Sequence, residues 1–409
     1  MAAGAARKLA AIMFTDTVGY SALAQRNEAL ALDLSAEHQG RLRPIFLQHG
    51  GREIKTTGDG FLVEFGSALQ AVRCVIAIQT ALVEQNASAA FDRRIQVCIG
   101  LHLGDVEVRD GDVFGDGVNI AARVEAIARD PGYALAYLGL GYYYWAAVDY
   151  PMPGSEALPR AREAAERSLQ LDPSLAEAHT WLAAVHWWYD RDYAAAEREF
   201  EAALAMQPEL ANTHTYYGWY LVTAGQVDRG LAELRRGVEL DPLSPELNSL
   251  LGVNLYFARR YDKAIEQLRT TVTTDPDYWW AHLWLGRAYA RAGKTSEAIT
   301  ELQAAQRRLE TPELEAALGR VYADAGDRAT ATEILEHLRR RMHDEFVSAS
   351  FLATVQIGLG QLDEAFAALA EADVQRSYYV PCWKVDPELD PLRSDARFAA
   401  LLKKVGLEP

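Results

Sequence analysis

The pattern of apolar and polar positions changes character once along the chain. Up to about Arg129, strand-length and helix-length patterns alternate. Leu9-Ala10-Ala11-Ile12-Met13-Phe14 is a continuous apolar run with Asp16 just past its end, which predicts a buried strand. Thr17-Val18-Gly19-Tyr20-Ser21 then leads into one long amphipathic helix, predicted to run to about Gln48 and to stop at His49-Gly50-Gly51. Ile54 and Thr56 alternate into the turn Gly58-Asp59-Gly60, and Phe61, Val63 and Phe65 alternate out of it, the signature of a β-hairpin. A second helix is expected from Ser67 to about Gln85 and a strand over 94–104. Asp105-Val106-Glu107-Val108 continues that strand or opens another. Gly111 to Gly117 reads as a turn, and Val118 to about Ala128 as a helix. The order strand, helix, strand, strand, helix, strand is that of an α/β ferredoxin-like βαββαβ unit.

From Asp130 the strand signals stop and a period appears. Pro173, Pro208, Pro242 and Pro276 fall 35, 34 and 34 residues apart, and Pro312 follows 36 later. Two helical patterns lie between successive prolines. Tyr217-Gly218, Leu251-Gly252, Leu285-Gly286 and Leu318-Gly319 occupy equivalent places, where a small residue lets paired helices approach and proline ends the second helix. This pattern resembles the tetratricopeptide repeat, whose period is about 34 residues. The resemblance predicts an all-α solenoid of about six to seven units over 130–375, its first unit stretched by an insert around Pro151-Met152-Pro153-Gly154. A tail over 376–409 ends in a short helix, Ala396 to Val405, placed to cap the stack. Trp181, Trp187, Trp188, Trp219, Trp279, Trp280 and Trp284 are expected mainly as packing between helices.

Composition narrows the function. The 409 residues carry a net charge of −16, which argues against a nucleic-acid surface, since phosphate backbones need clustered Lys and Arg. It leaves room for a nucleotide whose charge a metal ion neutralises. Cys74, Cys98 and Cys382 are too few and too scattered for a disulfide framework, which suggests a reducing compartment. The uncharged runs Pro131–Val148 and Phe346–Leu362 are shorter than the ~20 residues of a membrane span. The start of the chain lacks the order of a signal peptide. The expected location is cytoplasmic.

Within the first unit the polar residues are the unusual ones. Asp16 ends the first strand and Asp59 tips the hairpin, and a split βαβ sheet can bring the two side by side. Two converging carboxylates offer hard oxygen ligands for Mg²⁺ or Mn²⁺, and the Thr17 to Ser21 segment offers backbone N–H groups for phosphate. The spacing alone favours a helix cap at Asp16 and a simple turn residue at Asp59. Asn119 and Arg123 share one face of the last helix.

Taken together, Phe14-Thr15-Asp16-Thr17-Val18-Gly19-Tyr20-Ser21, Ile54-Lys55-Thr56-Thr57-Gly58-Asp59-Gly60 and Phe114-Gly115-Asp116-Gly117-Val118-Asn119-Ile120-Ala121-Ala122-Arg123 resemble the class III adenylate/guanylate cyclase catalytic domain over about residues 8–129. The resemblance implies that Asp16 and Asp59 bind two metal ions, Mg²⁺ or Mn²⁺. It implies that Lys55 and Asp112 select the purine and that Asn119 and Arg123 stabilise the transition state, while residues 17–21 hold phosphate. Adenine presents a ring acceptor and an amino donor, which a lysine and an aspartate match, so this pair points to ATP and cyclic AMP. In this family each site forms between two catalytic domains. Because one chain carries all six residues, the resemblance implies a homodimer with two symmetric sites.

The match departs from the family in two places. Cys98 stands where many members carry a basic residue. The family's domain also continues past the Asn-x-x-x-Arg helix through closing strands and a lysine that contacts the triphosphate, whereas here residue 129 runs almost directly into the repeats. Two functions therefore follow from the sequence: an adenylate cyclase with a repeat domain for regulation and protein docking in signal transduction, or a catalytically impaired relative that acts as a protein-binding scaffold through its groove.

Overall fold

The computed structural model describes residues 6–17, 20–57, 59–66, 68–88, 93–95, 97–109, 112–114, 132–149 and 152–407. The chain divides into two compact units, Met1–Leu140 and Gly141–Pro409.

The first unit runs β1 (Ala6–Thr17), α1 (Tyr20–Arg26), α2 (Glu28–Gln48), β2 (Gly51–Thr57), β3 (Gly60–Phe65), α3 (Ala68–Ser88), β4 (Val97–Arg109) and β5 (Asp112–Phe114). The sheet order is β2-β3-β1-β4-β5, every neighbouring pair antiparallel. Its first four strands have the split arrangement expected of a βαββαβ unit. One face of the sheet is the core: Ala11 and Met13 of β1 and Phe61, Val63 and Phe65 of β3 pack against Leu34, Leu42 and Phe46 of α2 and Ala71, Cys74, Ile78 and Leu82 of α3.

Two local expectations are corrected. The single long helix is two, because Asn27 takes a non-helical backbone and its side chain accepts from Leu30 N at 3.2 Å, capping α2. The stretch read as a turn over Gly111–Gly117 contains a strand: Val108 pairs with Val113 and Glu107 with Phe114. Val113 and Phe114 favour extended backbone, and Asp110-Gly111 is a two-residue hairpin sequence. The helix expected over 118–128 lies outside the described residues.

The second unit is helical, and the helix opening its first pair, Ala134–Ala146, begins just before it. Seven helix pairs are described, from Ala134–Ala146 with Gly154–Leu171 to Ala349–Gly358 with Leu362–Gln375. Within each pair, small residues allow contact. The backbone of Gly218 in the first helix Ala211–Thr223 approaches that of Gly230 in the second helix Val227–Leu240 so closely that a Cβ on either would lie within 2.7 Å of the other's carbonyl oxygen. Trp181, Trp187, Trp188, Trp219 and Trp284 are all buried, Trp187 and Trp188 against Trp219. A polar clamp recurs between the paired helices. His179, His214 and His282 each bond a glutamate of the second helix (Glu199, Glu233, Glu301) at 2.6 to 2.7 Å, and Asn248 bonds Gln267 in the same way.

After the last pair the chain turns back. Residues 376–393 form two short 3₁₀ turns, Val380–Cys382 and Pro387–Leu392, and lie along the first helices of the array. The helix Ala396–Lys404 then covers Ala365, Leu369 and Ala372 of the last pair with Phe398, Leu401 and Leu402. Among the described residues no helix is long and apolar enough to cross a membrane.

Candidate active site

The site is built at one end of the sheet. In the β1–β3 ladder Thr15 pairs with Phe61, so Asp16 and Asp59 leave adjacent strands together. Two further bonds fix the turn. Thr17 N donates to the Asp59 carboxylate at 3.1 Å, and Thr17 Oγ1 donates to the Asp59 carbonyl at 3.3 Å. The Phe61 N–H donates to Thr15 Oγ1 at 3.0 Å, with Thr15 buried. The tip of the hairpin is therefore held against the end of β1 by hydrogen bonds on both sides of Asp16. On the other side Asp16 lies opposite Cys98 of β4.

Lys55 owes its position to a bulge. Glu53 pairs with Val63, but Lys55 pairs with Leu62, so Ile54 is an extra residue in β2. Without it Lys55 would lie opposite Phe61, on the face that α2 and α3 cover. Directly opposed residues share a face, so the bulge moves Lys55 to the other side of the sheet. Phe14 pairs with Leu62, and Asp16 follows it by two, so Asp16 and Lys55 share that face near the same end. Lys55 is exposed there. Arg52 bonds the buried Glu64 at 2.9 Å, holding the strands in register.

The other expected residues are placed less fully. Asp112 begins β5, its backbone paired with Arg109. Tyr20 and Ser21 open α1. Val18, Gly19, Asn119 and Arg123 lie outside the described residues. The donor chemistry at the sheet end fits a hard divalent cation, because Mg²⁺ is usually held by one or two carboxylates plus substrate phosphates. Among the described residues no group of three or more His, Cys, Asp or Glu comes together.

One buried polar residue was not anticipated. His38 lies on the apolar stripe Ala31, Leu34, His38, Leu42, Phe46 of α2, with its ring 6.4 Å from that of Phe61. It is 1% exposed, and neither ring nitrogen has a hydrogen-bond partner. Burial pushes its pKa down to about 4, against the opposing pull of the Asp59 charge, so the ring is neutral at physiological pH. The signal was available: a histidine at an apolar helical position, one turn from leucines on either side.

Family comparisons match both parts of the chain. Residues 5–132 match the adenylate and guanylate cyclase catalytic domain, and residues 188–245 and 249–311 match the tetratricopeptide repeat. "Putative adenylate cyclase 3" of Rhizobium meliloti is 46% identical over 144 residues, 35% of this chain and 24% of that protein. An adenylate cyclase of Streptomyces coelicolor is 32% identical over 119 residues, 29% of this chain and 30% of that protein. Among solved structures, an adenylate/guanylate cyclase/hydrolase from Silicibacter pomeroyi is 43% identical at a TM-score of 0.29, over 30% of this chain and 73% of that one. The matches span between 11% and 30% of the length of the first curated relatives. The chain joins a cyclase catalytic segment to an array of tetratricopeptide repeats.

Proposed function

We propose that this chain is an adenylate cyclase, converting ATP to 3′,5′-cyclic AMP and pyrophosphate. The observation that carries the reading is the docking of the Asp59 turn on the end of β1, which sets Asp16 and Asp59 side by side with Lys55 on the Asp16 face. Asp16 and Asp59 would hold Mg²⁺ or Mn²⁺, two per site, whose chemistry is to neutralise phosphate charge and acidify the ribose 3′-hydroxyl. Lys55 donates to the adenine ring nitrogen and Asp112 accepts from the amino group. The N–H groups of residues 17–21 receive phosphate oxygens. Asn119 orients the ribose, and Arg123 donates to the charge that builds on the α-phosphate. The 3′-oxygen forms a bond to the α-phosphorus as the bond to the β-phosphate oxygen breaks, and pyrophosphate departs.

The six residues divide between two protomers, the aspartates from one and the other four from its partner, so the active form is a homodimer acting in the cytoplasm. The repeat array serves as the docking module for a protein partner in signal transduction. Mixing tests the shared site. Asp59→Ala and Arg123→Ala proteins, each inactive alone, should recover about a quarter of wild-type turnover when mixed, because half the dimers are mixed and each carries one intact site. A mixture as inactive as its components rejects the shared-site cyclase.

A specific observation favours a second reading. The cyclase match ends at residue 132 and the first array helix begins at Ala134, which leaves no segment for the family's closing strands or its triphosphate lysine. On that reading the segment is catalytically impaired and the array works as a scaffold. Absence of product in every wild-type preparation would select it.

A further inference from the structure

We propose that the groove lined by the first helices of the array is a peptide-binding site for acidic, aromatic sequences, filled in this structure by the chain's own residues 377–392. The inference is independent of the cyclase reading.

The first observation is what the segment touches. Asp149, just past the first array helix, accepts from Ser377 Oγ at 2.5 Å and Tyr378 N at 3.0 Å. Trp188 Nε1 donates to the Tyr378 carbonyl at 2.9 Å, and Glu313 accepts from the Tyr378 hydroxyl at 2.8 Å. Arg287 donates to the Tyr379 hydroxyl at 2.8 Å, and Arg320 to the Glu388 carbonyl at 3.1 Å. Arg259 makes a two-pronged bond to Asp390 at 2.6 and 2.7 Å. These partners come from five different helix pairs, so one short segment runs along the inner face of the stack, where solenoids of this kind bind extended ligands.

The second observation concerns backbone strain. The turn inside each helix pair needs one residue with positive φ. Glycine supplies it at Gly225, Gly293, Gly326 and Gly360, with φ between 70° and 93°. At the remaining three turns the residue is Asp149, Arg191 or Arg259, with φ between 60° and 66°. Side chains other than glycine resist that conformation. All three are engaged with the C-terminal region: Asp149 with Ser377 and Tyr378, Arg259 with Asp390, and Arg191 with Asp373 in the helix just before it. Two of the array's three departures from its own glycine pattern thus fall where a side chain holds the returning segment, and the third, Arg191, holds the helix that leads into it.

The third observation is the division of charge. The groove supplies Arg259, Arg287 and Arg320, with Trp284 beneath the Arg287 guanidinium, and the carboxylates Asp149 and Glu313, both taken up by the Ser377–Tyr379 end of the segment, and Asp324, paired with Arg320. Residues 386–390 supply Asp386, Glu388 and Asp390. Arg287 is 4% exposed and lies 3.9 Å from the Glu388 carboxylate, while Arg320, 3% exposed, pairs with Asp324 of its own helix at 2.9 Å and donates to the Glu388 carbonyl. A buried cation needs carboxylates around it, and Arg287 has Glu313 from the array on one side and Glu388 from the segment on the other. The occupant that fits is an extended peptide with paired aromatic residues followed by acidic ones, which is the chemistry of Ser377 to Leu392.

The test uses the full chain and keeps the turns intact. Ser377→Ala with Asp390→Ala removes two anchors from the segment's side and leaves Asp149 and Arg259 in the groove to receive the peptide. A fluorescent peptide of residues 377–392 is the probe. The wild type should not bind it. The double variant, with helical content and elution volume unchanged, should bind it at least about tenfold more tightly, and amides over 377–392 should exchange about tenfold faster while those of the array helices do not change. A peptide with Asp386, Glu388 and Asp390 replaced by Asn, Gln and Asn should bind about tenfold more weakly. A folded double variant that ignores the peptide overturns the proposal, as does one that binds both peptides equally. Loss of helical content in the double variant also overturns it, since residues 377–392 would then be part of the array's core and not its occupant.

Discussion

Alanine at Gly218 should destabilise the array although alanine is the better helix former. An ideal Cβ at Gly218 would lie 2.7 Å from the Gly230 carbonyl oxygen and 2.9 Å from Leu234 N, both backbone atoms of the facing helix. Ordinary contact begins at 3.4 Å, so that helix would have to retreat by 3.4 − 2.7 = 0.7 Å. The substitution gains about 1 kcal/mol of helix propensity. Overpacking against backbone costs about 1–3 kcal/mol, and more than one such atom is involved, so a net loss of about 1–2 kcal/mol is expected. Gly141 holds the same position in the first pair, but there the nearest atom is the Ala161 carbonyl at 3.5 Å, an ordinary contact. Gly141→Ala should therefore stabilise, by up to about 1 kcal/mol. In a unit of this size, melting followed by far-ultraviolet circular dichroism should show Gly218→Ala lower by roughly 3–6 °C and Gly141→Ala higher by roughly 2 °C. Equal shifts of the two variants, or a more stable Gly218→Ala, would refute close helix approach as the reason for glycine here.

Three other outcomes follow from named groups. His38 has a folded pKa of about 4 against an ordinary 6.5, so the unfolded chain binds the extra proton between those values. Stability of the first unit should fall as pH drops through that window, by on the order of 3 kcal/mol, and His38→Leu should flatten the dependence in pH-resolved melts. The Glu233 hydrogen bond holds the His214 pKa above its usual range, against burial, so its contribution is complete in acid and is lost as pH rises through the folded pKa. Replacing the pair with the neutral one found at Asn248 and Gln267, as His214→Asn with Glu233→Gln, should remove that alkaline loss from the array's melting curve. Lys55→Glu places an acceptor where the adenine ring needs a donor, and should lower the ratio of ATP to GTP turnover by tenfold or more, roughly the worth of one good base contact.

What the sequence revealed depended on how local the cause was. β1 and the hairpin were legible because a continuous apolar run and a two-residue alternation each belong to a few neighbouring residues. The break at Asn27 was hidden because the apolar stripe continues through it, and only the capping bond interrupts the helix. The bulge at Ile54 leaves the apolar pattern of β2 intact, so the face on which Lys55 lies could be read only from its pairing with β3. In the array, prolines and small residues announced the period. The course of residues 377–392 was invisible because their partners lie as far back as Asp149, well over two hundred residues away. Its trace in the sequence is indirect: Arg259 interrupts a series of turn glycines otherwise spaced 33 to 34 residues apart.

The most direct measurement of the central claim is cyclic AMP formation by purified protein supplied with ATP and Mn²⁺, followed over a range of protein concentrations. The account predicts product whose specific rate rises with concentration as protomers pair, and its loss in both Asp16→Ala and Asp59→Ala proteins that melt as the wild type does. Product that persists in either variant, or none from the wild type at any concentration, would contradict it.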